Sequence, residues 1–164
     1  MAKSKKTLSD LFHETLKDIY YAEKQILRAL PKMAKKVQSE QLATAFENHR
    51  QETEGHVERL EQVFEIIGKS PRGKTCDAII GIIDESKEVM EDFAETEALD
   101  PGILAAAQAV EHYEISRYGT LRTWAQELGL RDAVRLLDAT LAEEKKTDEL
   151  LTKLAESSVN RKAA

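Results

Sequence analysis

Cysteine, proline and glycine are scarce in this chain of 164 residues, which has one Cys, three Pro and seven Gly. A single cysteine excludes an intramolecular disulfide and favours a reducing compartment. The shortage of helix breakers, together with many Ala, Leu, Glu and Lys residues, favours an all-helical chain. At this length we expect one domain that is large enough to bury a core.

Long apolar runs and an excess of basic residues are also lacking. The net charge is -6, so nucleic acid is not the expected partner. Basic residues near the two ends, among them Lys3 and Arg161, are interpreted as solvated, flexible tails, and the closing SSVNRKAA is expected to fray. The pattern after MAKSKK is amphipathic, which predicts neither a secretory signal nor a membrane span. Cytoplasm is the expected location.

Helical periodicity divides the chain into four long helices and one shorter helix. Thr7 with Asp10 resembles a capping box, and Ser39 is a predicted N-cap. Asp100 followed by Pro101 predicts the start of the third long helix. The predicted long helices span 7–38, 39–68, 101–128 and 131–156, and the shorter helix spans 76–98. The predicted fold is a ferritin-like four-helix bundle, whose long crossover carries the shorter helix.

Carboxylates interrupt the apolar stripe that each long helix is expected to turn inward. In the segment VEHYEISRYG the stripe passes through Glu111 and Glu114, so both are expected to point into the core. On the second long helix His49, Glu52 and His56 share one face. The predicted inward acids are Glu23, Glu52, Glu111, Glu114, Glu144 and Asp148.

These inward acids lie at matched heights. Glu23 and Glu52 are fifteen and fourteen residues from the predicted turn at Gln38. Glu114 and Glu144 are each fifteen residues from the second predicted turn. Antiparallel neighbours equally far from their turn meet at one level, so the two hairpins carry matched glutamate pairs. The other two acids form a further layer roughly 5 Å away, at about 1.5 Å of rise per residue.

Buried carboxylates need compensation, because each unpaired charge costs several kcal/mol to bury. Arg59 is the one basic residue on the inward stripes. Either the acids are protonated with raised pKa values, or they bind cations, and two divalent ions would cancel about four charges. Oxygen ligands with one or two imidazoles suit iron, with manganese as the alternative, better than zinc. The pattern therefore predicts a di-metal carboxylate centre.

Individual side chains have different expected roles in this centre. His49 is the expected imidazole ligand, and His56 is the alternative imidazole. Asp148 and Tyr118 are expected either as further ligands or as groups that hold the ligands. Glu143, next to Glu144, is expected to be solvated, since it is turned about 100° away from the inward stripe.

Four segments resemble the YciF-type ferritin-like family of bacterial proteins associated with stress responses: YAEKQILRALPKMA, AFENHRQETEGHVERLEQVF, AAAQAVEHYEISRYGTL and LLDATLAEEKKTDELL. The resemblance implies a ferritin-like bundle, a homodimer and a di-metal site. Carried onto this chain, it implies the ligands Glu23, His49, Glu52, Glu111, Glu114 and Glu144. The pattern departs from better-known ferritin-like enzymes, which carry Glu-x-x-His on two helices. Here residues 49–52 read His-x-x-Glu, and the last helix has no histidine.

Three functions remain open at this point. The first is a redox or metal-handling protein of the stress response, in which two irons react with oxygen or peroxide. The second is a non-catalytic stress or structural protein, in which metal or protonated acids only stabilise the bundle. The third is a dimeric interaction module that uses the helix at 76–98. Storage cages and DNA protection are disfavoured, because nothing indicates cage assembly and the basic tails are short.

Overall fold

The computed structural model describes residues 5–164, and no strand occurs among them. The helices are α1 (Leu8–Lys36), α2 (Glu40–Ile66), α3 (Asp77–Asp92), α4 (Leu99–Glu127), α5 (Arg131–Leu154) and α6 (Asn160–Ala163), with a π-helical turn at Ala155–Val159. The all-helical class expected from composition is confirmed. Lys3, expected in a solvated tail, lies outside the described residues.

Side chains cap the first two helices as the sequence predicts. Thr7 accepts a hydrogen bond from the backbone N–H of Asp10, and the carboxylate of Asp10 accepts one from the N–H of Thr7 at 2.8 Å. The hydroxyl of Ser39 accepts from the N–H of Leu42 at 3.3 Å. These bonds satisfy N–H groups that the first turn of a helix leaves without an intrahelical partner.

Asp100 is not the N-cap of α4, contrary to the sequence prediction. The helix already begins at Leu99, and the Asp100 carboxylate accepts hydrogen bonds from the backbone N–H groups of Gln38 and Ser39, at 2.8 and 2.7 Å. The Asp-Pro pattern does not separate the two arrangements, since proline is tolerated throughout the first turn of a helix. Asp100 thus ties the connection between α1 and α2 to the start of α4.

The four long helices pack as two connected pairs. Three residues join α1 to α2 and three join α4 to α5, and connections this short make each pair antiparallel neighbours. The pairs meet where α1 contacts α4 and α2 contacts α5. Buried apolar side chains from all four helices fill the space between them, including Phe12, Leu16, Ile19, Phe46, Leu60, Leu121 and Leu137. The result is a helical bundle.

The crossover helix α3 is shorter than predicted. It packs against α4 and α1 but ends at Asp92 rather than at residue 98. Glu95 adopts a φ of 62°, a left-handed conformation through which a right-handed helix cannot continue. No helix in residues 5–164 is long and apolar enough to cross a membrane.

The C-terminal residues are helical, and the predicted fraying is wrong for them. After α5 the chain forms the π-helical turn and then α6, which ends at Ala163. Ala155 and Val159 are buried, and the π-helical turn contacts α4. These two residues lie four apart and therefore share a helix face. One valine within a polar segment was too weak a pattern to reveal this packing.

Candidate metal centre

Six ionisable side chains are buried together among the four long helices, and each is at most 3% exposed. They are Glu23 on α1, His49 and His56 on α2, Glu111 and Glu114 on α4, and Glu144 on α5. Within residues 5–164 they form two groups whose ligating atoms lie within 4.8 Å of one another. The first group is His49, Glu111, Glu114 and Glu144, and the second is Glu23, His56 and Glu144. Glu144 therefore belongs to both groups.

The two oxygens of Glu144 face different imidazoles. Oε1 lies 2.9 Å from Nδ1 of His56, and Oε2 lies 3.6 Å from Nε2 of His49. A second carboxylate approaches the same nitrogen of each ring. Glu111 Oε1 is 3.0 Å from the same nitrogen of His49, and Glu23 Oε1 is 3.3 Å from the same nitrogen of His56.

Most of the polar atoms in these groups have no hydrogen-bond partner in the described part of the chain. They are Oε2 of Glu23, Nε2 of His49, Nδ1 of His56, Oε2 of Glu111, and both carboxylate oxygens of Glu114 and of Glu144. Several approach one another at ion-pair distance without the direction that a hydrogen bond requires. Buried polar atoms are normally paired. Oxygen and imidazole nitrogen atoms that converge without pairing are a suitable ligand set for divalent cations.

The charges of the carboxylates keep both imidazoles protonated when no cation is bound. Burial opposes a charge on His56, but Glu23 and Glu144 outweigh it and raise its pKa to about 10. Burial likewise opposes a charge on His49, yet the neighbouring Glu111 raises its pKa well above the ordinary value. Protons and metal ions would therefore compete for the same ring nitrogens.

The pKa values of the buried carboxyl groups are shifted in opposite directions. Burial raises the pKa of Glu114, and the charge of Glu144 raises it further. Burial and the charge of Glu111 raise the pKa of Glu144 well above its usual range. Burial favours the neutral form of Glu23 as well, but the His56 imidazolium outweighs it and the pKa of Glu23 is lowered. When no metal is present, these shifts favour the neutral forms of Glu114 and Glu144 and the ionised form of Glu23.

Glu52, expected as a ligand, lies outside both groups. Its side chain is 32% exposed, and its Oε2 is 3.5 Å from Nδ1 of His49. The buried face of α2 passes through His49, Thr53 and His56 instead. At 100° per residue, residue 52 lies roughly 60° from His49 on the side away from Thr53. His56, considered only as an alternative imidazole, is therefore the partner that α2 presents to Glu23.

Asp148 also lies outside the two groups. Of the two acids in the predicted second layer, only Glu111 belongs to a group of the centre. The carboxylate of Asp148 accepts a hydrogen bond from the side-chain amide of Gln108 at 3.2 Å and lies 3.0 Å from Nε2 of His112. The buried face of α5 includes Thr147 in its place. Apolar periodicity could not reveal this register, because threonine scores as polar although its hydroxyl is paired inside.

Two groups next to the centre hold its members in place. The hydroxyl of Tyr118 donates a hydrogen bond to Oε1 of Glu23. This contact is one of the two roles that the sequence suggested for Tyr118, that of holding a ligand rather than binding metal itself. Glu143 was expected to be solvated, but its Oε2 lies 2.9 Å from Nε2 of His56. Arg59 donates two hydrogen bonds to the same carboxylate, at 2.7 and 2.8 Å.

Comparison with known proteins gives close relatives over nearly the full chain. Protein YciF of Escherichia coli K12 is 49% identical over 160 residues, which is 96% of each chain. The crystal structure of the E. coli stress protein YciF superposes with a TM-score of 0.91 at 47% identity, covering 96% of this chain and 99% of that one. A second structure, YcfI from Rhodopseudomonas palustris, provisionally named a structural protein, has a TM-score of 0.88 at 46% identity, covering 93% and 97%.

A more distant structure shares the fold. A protein from Xanthomonas campestris is 21% identical, with a TM-score of 0.74 and coverage of 94% of both chains. The family of a domain of unknown function, DUF892, matches residues 7–164. The chain therefore belongs to the DUF892 family and is a homologue of the stress protein YciF.

Proposed function

We propose that this protein is a ferritin-like di-metal carboxylate protein of the stress response, which binds two iron ions, with manganese as the alternative, and handles iron or reacts with oxygen or peroxide. The observation that carries the proposal is the shared carboxylate of Glu144, whose two oxygens face two separate buried groups. A carboxylate in this position can bridge two cations. The proposed homodimer and cytoplasmic location remain predictions.

The residues divide into terminal and bridging ligands. His49 with Glu111 and Glu114 would hold one ion, and His56 with Glu23 would hold the other. Each ion would then have one imidazole and a majority of oxygen ligands, a set that suits iron or manganese. Glu144 would join the two ions. The burial of every member keeps water away from the ligands, which strengthens the attraction between ions and carboxylates.

Bound iron would supply electrons at this site. Two ferrous ions, if bound, would supply the two electrons that, with two protons, are needed to reduce one hydrogen peroxide to two waters. The protein residues position the ligands and manage protons. The hydroxyl of Tyr118 fixes one oxygen of Glu23, and the raised pKa of His56, due to Glu23 and Glu144 despite burial, means that a proton leaves this ring when metal binds.

The stress role is supported by relatedness rather than by the site. The E. coli relative is called a stress protein, and at 49% identity over nearly the whole chain a shared role is the simplest expectation. A site that consumes peroxide while binding iron would suit such a role.

A structural role is the second candidate, and one observation favours it. Two buried imidazolium groups can balance buried carboxylates without any metal, as the raised pKa of His56 beside Glu23 and Glu144 indicates. In that case the cluster would only join the four long helices α1, α2, α4 and α5 from inside the bundle. The R. palustris relative, provisionally named a structural protein, is compatible with this candidate.

Anaerobic metal loading followed by oxidation separates the two candidates. Protein loaded with Fe(II) without oxygen is analysed for metal content, and then exposed to oxygen or peroxide while Fe(III) formation is followed by absorbance. The proposal predicts roughly two irons per chain and oxidation faster than that of free Fe(II). Glu149→Gln, an exposed change on α5, serves as the control variant. Iron that binds but oxidises no faster than in buffer supports the structural role, and failure to bind iron or manganese contradicts a metal centre.

A further inference from the structure

The two imidazoles of the candidate centre have different hydrogen-bond partners on the side away from the buried carboxylates. On α2, one turn after His56, Arg59 donates two hydrogen bonds to the carboxylate of Glu143 on α5. Its Nη1 also donates to the hydroxyl of Thr140 at 3.2 Å. Oε2 of Glu143 lies 2.9 Å from Nε2 of His56. An arginine, a carboxylate and an imidazole are thus connected across two helices.

This connection determines which nitrogen of His56 carries a hydrogen. Both oxygens of Glu143 accept hydrogen bonds from Arg59, so this carboxylate acts as an acceptor. An acceptor next to Nε2 of His56 requires that this nitrogen donate. The other nitrogen, Nδ1, has no hydrogen-bond partner among residues 5–164 and lies 2.9 Å from Glu144 and 3.3 Å from Glu23. In the neutral ring, Nδ1 carries the free electron pair.

His49 is arranged the other way round and is held less firmly. Its Nδ1 lies 3.5 Å from Oε2 of Glu52 and 3.3 Å from the hydroxyl of Thr147. Its Nε2 faces Glu111 and Glu144. No arginine among the described residues makes a salt bridge to Glu52. The two rings therefore present opposite nitrogens to the same space.

We propose that Glu143, held by Arg59, is a positioning residue that fixes His56 as an Nδ1 ligand, whereas His49 binds through Nε2. This inference rests on the proposed metal centre and adds to it a residue outside the ligand set. A carboxylate that holds the second nitrogen of a histidine ligand orients the ring and makes it a stronger electron donor. Glu143 does so from a partly exposed position at the edge of the bundle, where its side chain is 30% exposed.

Cadmium-113 NMR tests the assignment directly. Protein labelled with nitrogen-15 and loaded with ¹¹³Cd²⁺ shows a one-bond coupling between the metal and whichever ring nitrogen binds it. We expect the coupling at Nδ1 of His56 and at Nε2 of His49. Coupling at Nε2 of His56 overturns the inference while leaving the metal centre intact. Failure of Cd²⁺ to couple to either ring overturns the proposed centre together with the inference.

Matched variants test the role of the carboxylate. Glu143→Gln retains the shape of the side chain but not the charged acceptor, and we expect it to weaken Cd²⁺ binding by the His56 group about 10–100-fold. The coupling to His49 should not change. Glu47→Gln is the control, because Arg50 holds Glu47 by the same kind of two-bond contact on α2 without an imidazole beside it. Affinity unchanged in both variants would overturn the positioning role, as would equal weakening in both.

Discussion

Glu144 and His56 lie side by side in the bundle, with Oε1 of Glu144 2.9 Å from Nδ1 of His56. Both side chains are fully buried. This contact joins the two groups of buried side chains, because the other oxygen of Glu144 faces His49. A buried carboxylate between two imidazoles is either an ion-pair network or the bridge of a two-metal centre, and the two possibilities make different predictions.

Replacing Glu144 by glutamine should weaken binding of both ions. The amide nitrogen has no free electron pair to offer a cation, so the side chain at position 144 loses one of its two ligating oxygens and its charge. We expect the Fe(II) or Mn(II) affinity to fall at least about 10–100-fold, the range found even for groups that only support a ligand. Isothermal titration measures the effect, with Glu149→Gln as the exposed control on the same helix. Loss of only one of two ions would show that Glu144 does not bridge.

Metal binding should release protons. Because Glu23 and Glu144 overcome the effect of burial, the pKa of His56 is about 10, and that of His49 is also raised. These raised pKa values favour the protonated form of both rings at neutral pH, and a ring nitrogen must lose its proton before it binds metal. Titrations of Mn²⁺ in buffers with different ionisation enthalpies should give roughly two or more protons per chain. Release of none would mean that the imidazoles do not bind the ions.

The metal-free protein should lose stability as the pH rises above 6.5. The pKa of His56 is raised from 6.5 to about 10 by Glu23 and Glu144, against the effect of burial. A group with a raised folded-state pKa contributes stability that is complete below the unfolded pKa and is lost as pH passes the folded pKa. The raised pKa values of His49 and Glu114 act in the same direction.

Urea denaturation of the metal-free protein between pH 6.5 and 10 measures this loss. The lowered pKa of Glu23 acts mainly below the ordinary carboxyl range near 4.5 and does not offset it there. His56→Gln should flatten the dependence. Saturating Mn²⁺ should reverse its sign, since higher pH favours the deprotonated ligands that bind metal. A metal-free protein whose midpoint rises with pH would exclude buried imidazolium groups.

Val159 should contribute to stability although only five residues follow it in the sequence. The side chain is 4% exposed, and Val159→Ala removes apolar surface worth about 1–2 kcal/mol. Chemical denaturation measures the change in the free energy of unfolding, and Ser157→Ala at an exposed position is the control. Equal stability of the two variants would support the frayed C-terminus that the sequence suggests.

The fold was easier to predict than the members of the site. Helix starts at Thr7 and Ser39 followed from local capping chemistry, which acts within one turn. Five buried side chains of the centre, those of Glu23, His49, Glu111, Glu114 and Glu144, were expected to be inward and are buried. On α1 strong apolar periodicity surrounds Glu23, so a small error of rotation does not matter there.

Prediction failed where polar residues set the buried face. On α2 the face includes Thr53, and on α5 it includes Thr140 and Thr147. A pattern search treats these threonines as exposed, which turned the predicted inward faces of both helices enough to include Glu52 and Asp148. Contacts between distant residues, such as that of Arg59 with Glu143, 84 positions apart, leave no periodic pattern and could not be predicted from one sequence.

Anomalous X-ray diffraction from crystals loaded anaerobically with Fe(II) tests the central claim most directly. The two groups that share Glu144 predict two iron peaks per chain, roughly 3.5–4 Å apart as in other two-metal sites. One peak should lie against His49 and Glu111 and the other against His56 and Glu23, with Glu144 contacting both. A single peak, or none among these side chains, would contradict a di-metal centre.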